Sequence, residues 1–137
     1  MKAFKNFLVV FYLLFVTVLL VSCEDNDKTE YKSFLVQVDS IEISNNITTD
    51  SPFDIEFFGT VGTDGCYKFS HFETSNLNNE IIIECWGKQD VSSDVCPQVM
   101  VYLDGEKLSY SIDESGSYLI KIKQPDNSFL EKEITVD

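Results

Sequence analysis

FDIEFFGTV, residues 53–61, alternates between apolar and polar side chains. Phe53, Ile55, Phe57 and Val61 fall on one face, Asp54, Glu56 and Thr60 on the other. Successive side chains of a strand point to opposite faces, so this pattern predicts a strand with one buried and one wet face. SYLIKIK, 117–123, repeats it, with Tyr118, Ile120 and Ile122 inward and Lys121 and Lys123 outward. FLVQVDSIEI, 34–43, alternates twice, and the odd step between the two phases predicts a bulge near Asp39-Ser40. CYKFSHFE at 66–73, EIIIECWG at 80–87 and FLEKEITV at 129–136 add further strands. Turn chemistry separates them at Asn76–Asn79 and Gln124–Asn127. QVMVYLDGEKLSYSI, 98–112, carries Asp104-Gly105 between two apolar-rich arms, which predicts a hairpin.

Together these runs make about seven or eight short strands at roughly 8–12-residue spacing, the pattern of a single antiparallel β-sandwich. No helix-period segment longer than two turns interrupts residues 34–137, which form the expected all-β domain. Glu114-Ser115-Gly116-Ser117-Tyr118 resembles the acid-x-Gly-x-Tyr lead-in to the penultimate strand of immunoglobulin-like domains. That resemblance implies a Tyr packed at the corner with its hydroxyl returned to nearby backbone. The core cysteine of antibody-type domains is missing, since Ile120 stands two residues beyond Tyr118. The resemblance is therefore to bacterial Ig-like sandwiches.

The N-terminus has a different pattern. Residues 7–21, FLVVFYLLFVTVLLV, are apolar apart from Thr17 and follow Lys2 and Lys5. A basic head and an apolar run of this length describe a secretory signal peptide over residues 1–22. A spanning helix needs about 20 apolar residues, and this run is shorter. Leu20-Val21-Ser22-Cys23 resembles the lipobox of bacterial lipoproteins. The resemblance implies cleavage before Cys23, acylation of its thiol and an N-terminal lipid anchor. Each buried CH₂ contributes roughly 0.8 kcal/mol, and two or more chains anchor stably. The acidic run after Cys23 resembles the export signal of Bacteroidetes-type lipoproteins, which implies the outer membrane and its outward face.

Residues 23–33 contain one aromatic and no aliphatic side chain after the cysteine, so they read as a flexible acidic tether. The chain of 137 residues carries a net charge of −13 and no arginine. Losing the signal removes two lysines and no acid, which takes the charge to −15. Phosphate neutralisation needs a basic face, so nucleic acid is excluded as a partner. Attraction to anionic lipid is disfavoured for the same reason.

With Cys23 lipidated, Cys66, Cys85 and Cys96 remain. An exported compartment permits disulfides, and three thiols make at most one internal bond. Cys85 follows Ile81 and Ile83 at period two and is expected in the core. Cys66 follows a Thr63-Asp64-Gly65 turn and Cys96 precedes Pro97, which favours Cys66–Cys96, with Cys66–Cys85 as the competitor. Closing a loop of about 30 residues stabilises by roughly 3–4 kcal/mol. No metal or other cofactor is implied: there is no CxxC, and His71 is the only histidine. Asp25-Asn26-Asp27 lacks the later ligands of a calcium loop.

Catalytic constellations are equally sparse. His71 and Cys66 lie five apart on a strand and face opposite sides. Asp54 and Glu56 share a face at about 7 Å, a spacing glycosidases use but also that of any wet strand face. Asn46-Ile47-Thr48 is a formal glycosylation sequon that reads as a polar turn. Phe58, Trp86, Met100, Tyr102 and Phe129 fall on faces assigned to solvent and form a candidate binding patch. With what these resemblances imply, the expectation is a membrane-anchored, surface-exposed bacterial lipoprotein, a non-enzymatic binding or accessory module whose ligand, a protein or glycan, the sequence does not specify. The alternative is an exported protease inhibitor presenting the VSSDVCPQ loop, 91–98.

Overall fold

A computed structural model describes residues 29–44 and 46–137. The expected signal peptide, Cys23 and most of the expected tether lie outside these residues. The described chain forms a β-sandwich of eight strands: β1 (Tyr31–Leu35), β2 (Gln37–Ile43), β3 (Phe53–Gly62), β4 (Tyr67–Leu77), β5 (Glu80–Asp90), β6 (Val101–Tyr110), β7 (Gly116–Lys123) and β8 (Phe129–Val136). The smaller sheet runs β2-β3-β6. In the larger sheet β4 lines one side of β5, while β1 and β7 share its other side and β8 lies outside β7. Five pairs are antiparallel where the alternation predicted only antiparallel pairing, and a sixth, β5 with β7, is parallel from Glu80↔Leu119 to Glu84↔Lys123.

Alternation puts one face of each sheet into a common core. Ile55, Phe57, Ile81, Ile83, Ile120 and Ile122 are fully enclosed, and Cys85 lies among them. Fully burying an aliphatic or aromatic side chain is worth roughly 1.5–3 kcal/mol, so these residues dominate stability. Tyr118 is buried at the corner, and its hydroxyl donates to the Glu114 carbonyl at 3.0 Å. That is the return contact implied by the Glu114–Tyr118 motif.

The expected strand 34–43 is divided between the sheets. β1 pairs with β5, Val36 donates its N–H to the Cys85 carbonyl at 2.8 Å, and β2 then pairs with β3. The expected bulge occurs between Val38 and Ser40. The buried Gln124 side chain secures it, accepting from the Val38 N–H at 3.1 Å and donating to the Val38 carbonyl at 3.2 Å. An amide side chain here replaces a missing strand neighbour and ties the β7–β8 turn to the other sheet.

Two expectations are corrected. The domain begins at Tyr31, not at Phe34: Tyr31, Lys32 and Ser33, assigned to the tether, pair with Asp90, Gln89 and Lys88. Backbone pairing at a sheet edge needs no aliphatic side chain, and the Tyr31 ring takes the Lys88 ammonium at 5.0 Å from its centroid. Asp104-Gly105 makes no hairpin. β6 runs through it, and Gly105, at φ 78°, is the extra residue of a bulge opposite Phe57 and Phe58. A positive φ serves a bulge as readily as a hairpin turn. The two-residue hairpin lies instead at Asn78-Asn79, both at positive φ (51° and 64°), between β4 and β5.

Candidate functional site

One pole of the sandwich gathers the ends of several elements around a covalent staple. β5 delivers Asp90 there beside Tyr31, where β1 begins, and Val91 donates its N–H to the Glu30 carbonyl at 2.9 Å. β3 ends at Gly62, where a Cβ would strike the Tyr67 ring at the start of β4. Cys66 follows in the turn and is disulfide-bonded to Cys96, with Cα atoms 5.3 Å apart. The favoured pairing is therefore the one formed, and Cys85 is the free, buried thiol.

The 91–98 loop hangs from this staple and holds its own shape. The Asp90 carboxylate accepts the Ser92 hydroxyl at 2.6 Å and the Ser92 N–H at 3.0 Å. The Ser92 hydroxyl bond, helped by backbone N–H donors and Lys68, holds that carboxyl below its ordinary range. Ser93 donates its hydroxyl to the Val95 carbonyl at 2.9 Å, and Gly65 donates its N–H to the Pro97 carbonyl at 2.8 Å. The Asp64 carboxylate accepts the Cys66 N–H at 3.0 Å. Asp64, Cys66 and Cys96 bring ligand-type atoms within 4.8 Å of one another, but the two sulfurs are bonded to each other and the carboxylate caps the turn.

Among the described residues, six of the eight exposed large apolar side chains lie at this pole: Tyr31, Val91, Val95, Val99, Met100 and Tyr102. Val95 is 81% exposed, the most of any of them. Tyr102 donates its hydroxyl to the Met100 sulfur at 3.2 Å. Beside them a groove of about 720 Å³ is lined by Asp39, Thr60, Val99, Met100 and Tyr102 among others.

The five residues of the candidate patch do point outward, but not to one place. Phe58 and Tyr102 share the outer side of the smaller sheet, where the Phe58 ring lies over Gly105, and Met100, just before β6, meets Tyr102 through its sulfur. Trp86 and Phe129 belong to the larger sheet, on the opposite side of the sandwich. Parity along a strand gives the face but not the sheet. Trp86 is half-buried, and its indole Nε1 is enclosed with no hydrogen-bond partner. The Phe129 ring takes the Lys121 ammonium at 4.9 Å, and Lys121 also reaches Glu80 and Glu131 at 3.5 and 3.6 Å.

The remaining candidates fall into place individually. His71 is exposed on β4, hydrogen-bonded to Ser70 and Glu73 at 3.1 and 3.2 Å. Cys66 is committed to its disulfide. Lys107 sits between Glu56 and Asp54 at 2.8 and 3.9 Å, and the Glu56 hydrogen bond raises its pKa. Ile47 of the sequon is buried in a bridge to Val136. Burial pushes the Cys85 thiol up to about 12.

Sequence reasoning missed Val91, Val95 and Val99 as a group. The available signal was a pair of valines in an otherwise polar loop, followed by a third after Pro97. No protein-family model, curated protein or solved structure matches the chain.

Proposed function

We propose that this protein is a lipid-anchored bacterial lipoprotein of the cell envelope, held at the outer membrane and facing outward. It acts as a non-enzymatic binding or accessory module for a protein or glycan. The observation that carries the reading is the Leu20-Val21-Ser22-Cys23 box at the end of an apolar run, followed by a short acidic segment that leads into β1. Phe58, Met100 and Tyr102 on the smaller sheet are the apolar surface such a module offers a partner. Labelling cells with a palmitate analogue tests the anchor. Incorporation is expected in the full chain and lost in Cys23→Ala; incorporation that survives the substitution sinks the reading.

A second reading rests on the 91–98 loop. It is pinned by the Cys66–Cys96 bond and exposes Val95, as an exported protease inhibitor would require. Stoichiometric inhibition of any member of a protease panel, abolished by Val95→Asp, would favour it.

A further inference from the structure

We propose that the disulfide-stapled pole is a lipid-contacting surface, and that Val91, Val95 and Val99 seat it against the membrane that holds the chain. This rests on the lipid anchor at Cys23. Glu30 is hydrogen-bonded to Val91, and Tyr31 pairs with Asp90, so the segment leading back to Cys23 leaves the domain beside the 91–98 loop. Residues 24–30, fully extended, reach roughly 25 Å. A chain anchored at Cys23 thus keeps this pole close to the bilayer.

The surface at that pole suits the place. Among the described residues, six of the eight exposed large apolar side chains are there, and Val95 is the most exposed. The loop bearing them is braced by the Cys66–Cys96 bond, the Asp90–Ser92 contacts and the Gly65–Pro97 hydrogen bond. Side chains already held in place lose little freedom on contact. Met100 and Tyr102 continue the apolar surface toward the smaller sheet. Glu30, Asp90 and Asp94 stand among the valines, which opposes an anionic leaflet and selects zwitterionic lipid headgroups. Contact by a few valines is weak on its own. A short tether raises its effective concentration to the order of millimolar, so weak contact is enough to orient the domain.

The test uses the full lipidated chain with Trp86→Phe, which leaves no other tryptophan. A single reporter is then placed at the stapled pole (Val95→Trp) or at the opposite pole (Leu77→Trp), where the native side chain is 66% exposed. Each protein is reconstituted into phosphatidylcholine vesicles carrying brominated acyl chains. Flotation with the vesicles reads the anchor, and quenching reads the docking. The expected result is flotation of both, loss of most emission from the residue-95 reporter and none from the residue-77 reporter. Flotation with neither or both reporters quenched overturns the docking while leaving the anchor standing. A residue-95 reporter that shifts to the blue without lipid quenching places a protein or a second copy over the loop and also overturns it. Failure to float removes the anchor and the docking together.

Discussion

The two poles of the sandwich end the same strands by different means. At the stapled pole a covalent bond, two Asp-capped turns and a strand pairing hold the loops while valines face outward. At the opposite pole the β4–β5 hairpin closes on two asparagines, and Ile47 bridges Val136 with its side chain buried. Leu77 is the one exposed large apolar side chain near that hairpin. The first pole combines rigidity with apolar exposure, which folding alone does not require. The second satisfies its backbone with Leu77 as its single exposed large apolar side chain among the described residues.

Removing the staple should break the comparison most. Cys66→Ser with Cys96→Ser should lower stability by roughly 3–4 kcal/mol, since the bond closes a separation of 30 residues. Chemical denaturation measures the loss. Hydrogen exchange should place the extra opening at 63–66 and 91–99 before 77–80; uniform opening would mean the staple serves the whole fold equally.

The opposite pole depends on backbone conformation. Asn78→Ala or Asn79→Ala puts a residue of lower left-handed tolerance at φ 51° or 64°. Each should cost about 1–2 kcal/mol in the same denaturation experiment. No loss from either would mean that the turn relaxes to another type.

Cys85 lies between the poles and should weaken both together. Its folded pKa is about 12 against an ordinary value of 9.0. As pH rises above 9 the unfolded chain releases the thiol proton while the folded chain keeps it. Stability therefore falls by about 1.4 kcal/mol per pH unit up to the folded value. Comparing Cys85→Ala with the parent from pH 8 to 11 isolates this slope, which the variant should lack.

The smallest effect belongs to Trp86→Phe. The change removes an enclosed N–H without a partner, a group that costs about 1–3 kcal/mol, and loses some ring contact in exchange. The melting midpoint should stay level or rise. A clear drop would reveal a partner for Nε1.

The strands were legible where alternation runs over the length of the segment: in β3 and β7 the positions read as inward, Phe53, Ile55, Phe57, Val61, Tyr118, Ile120 and Ile122, all lie in the core. The bulge near Asp39 was readable from the break in alternation, and the corner hydrogen bond of Tyr118 from the resemblance of Glu114–Tyr118 to the Ig-like lead-in. Asp104-Gly105 misled because hairpins and bulges both require a positive φ, and the choice depends on what β3 places opposite. The parallel β5–β7 pair was invisible, since nothing in either segment states which strand lies beside it. The candidate patch failed to assemble on the same ground: Phe58 and Trp86 both face out, but from different sheets. The valines at 91, 95 and 99 have no periodicity. Only the folded position of Glu30 beside Val91 gives them a direction.

Docking of the stapled pole is read by hydrogen exchange on the full chain, lipid-anchored as proposed and bound to phosphatidylcholine vesicles, set against Cys23→Ala in solution. The expected result is added protection across 91–100 with 77–80 unchanged. Equal exchange in the two states at 91–100, or protection gained at 77–80 instead, would contradict it.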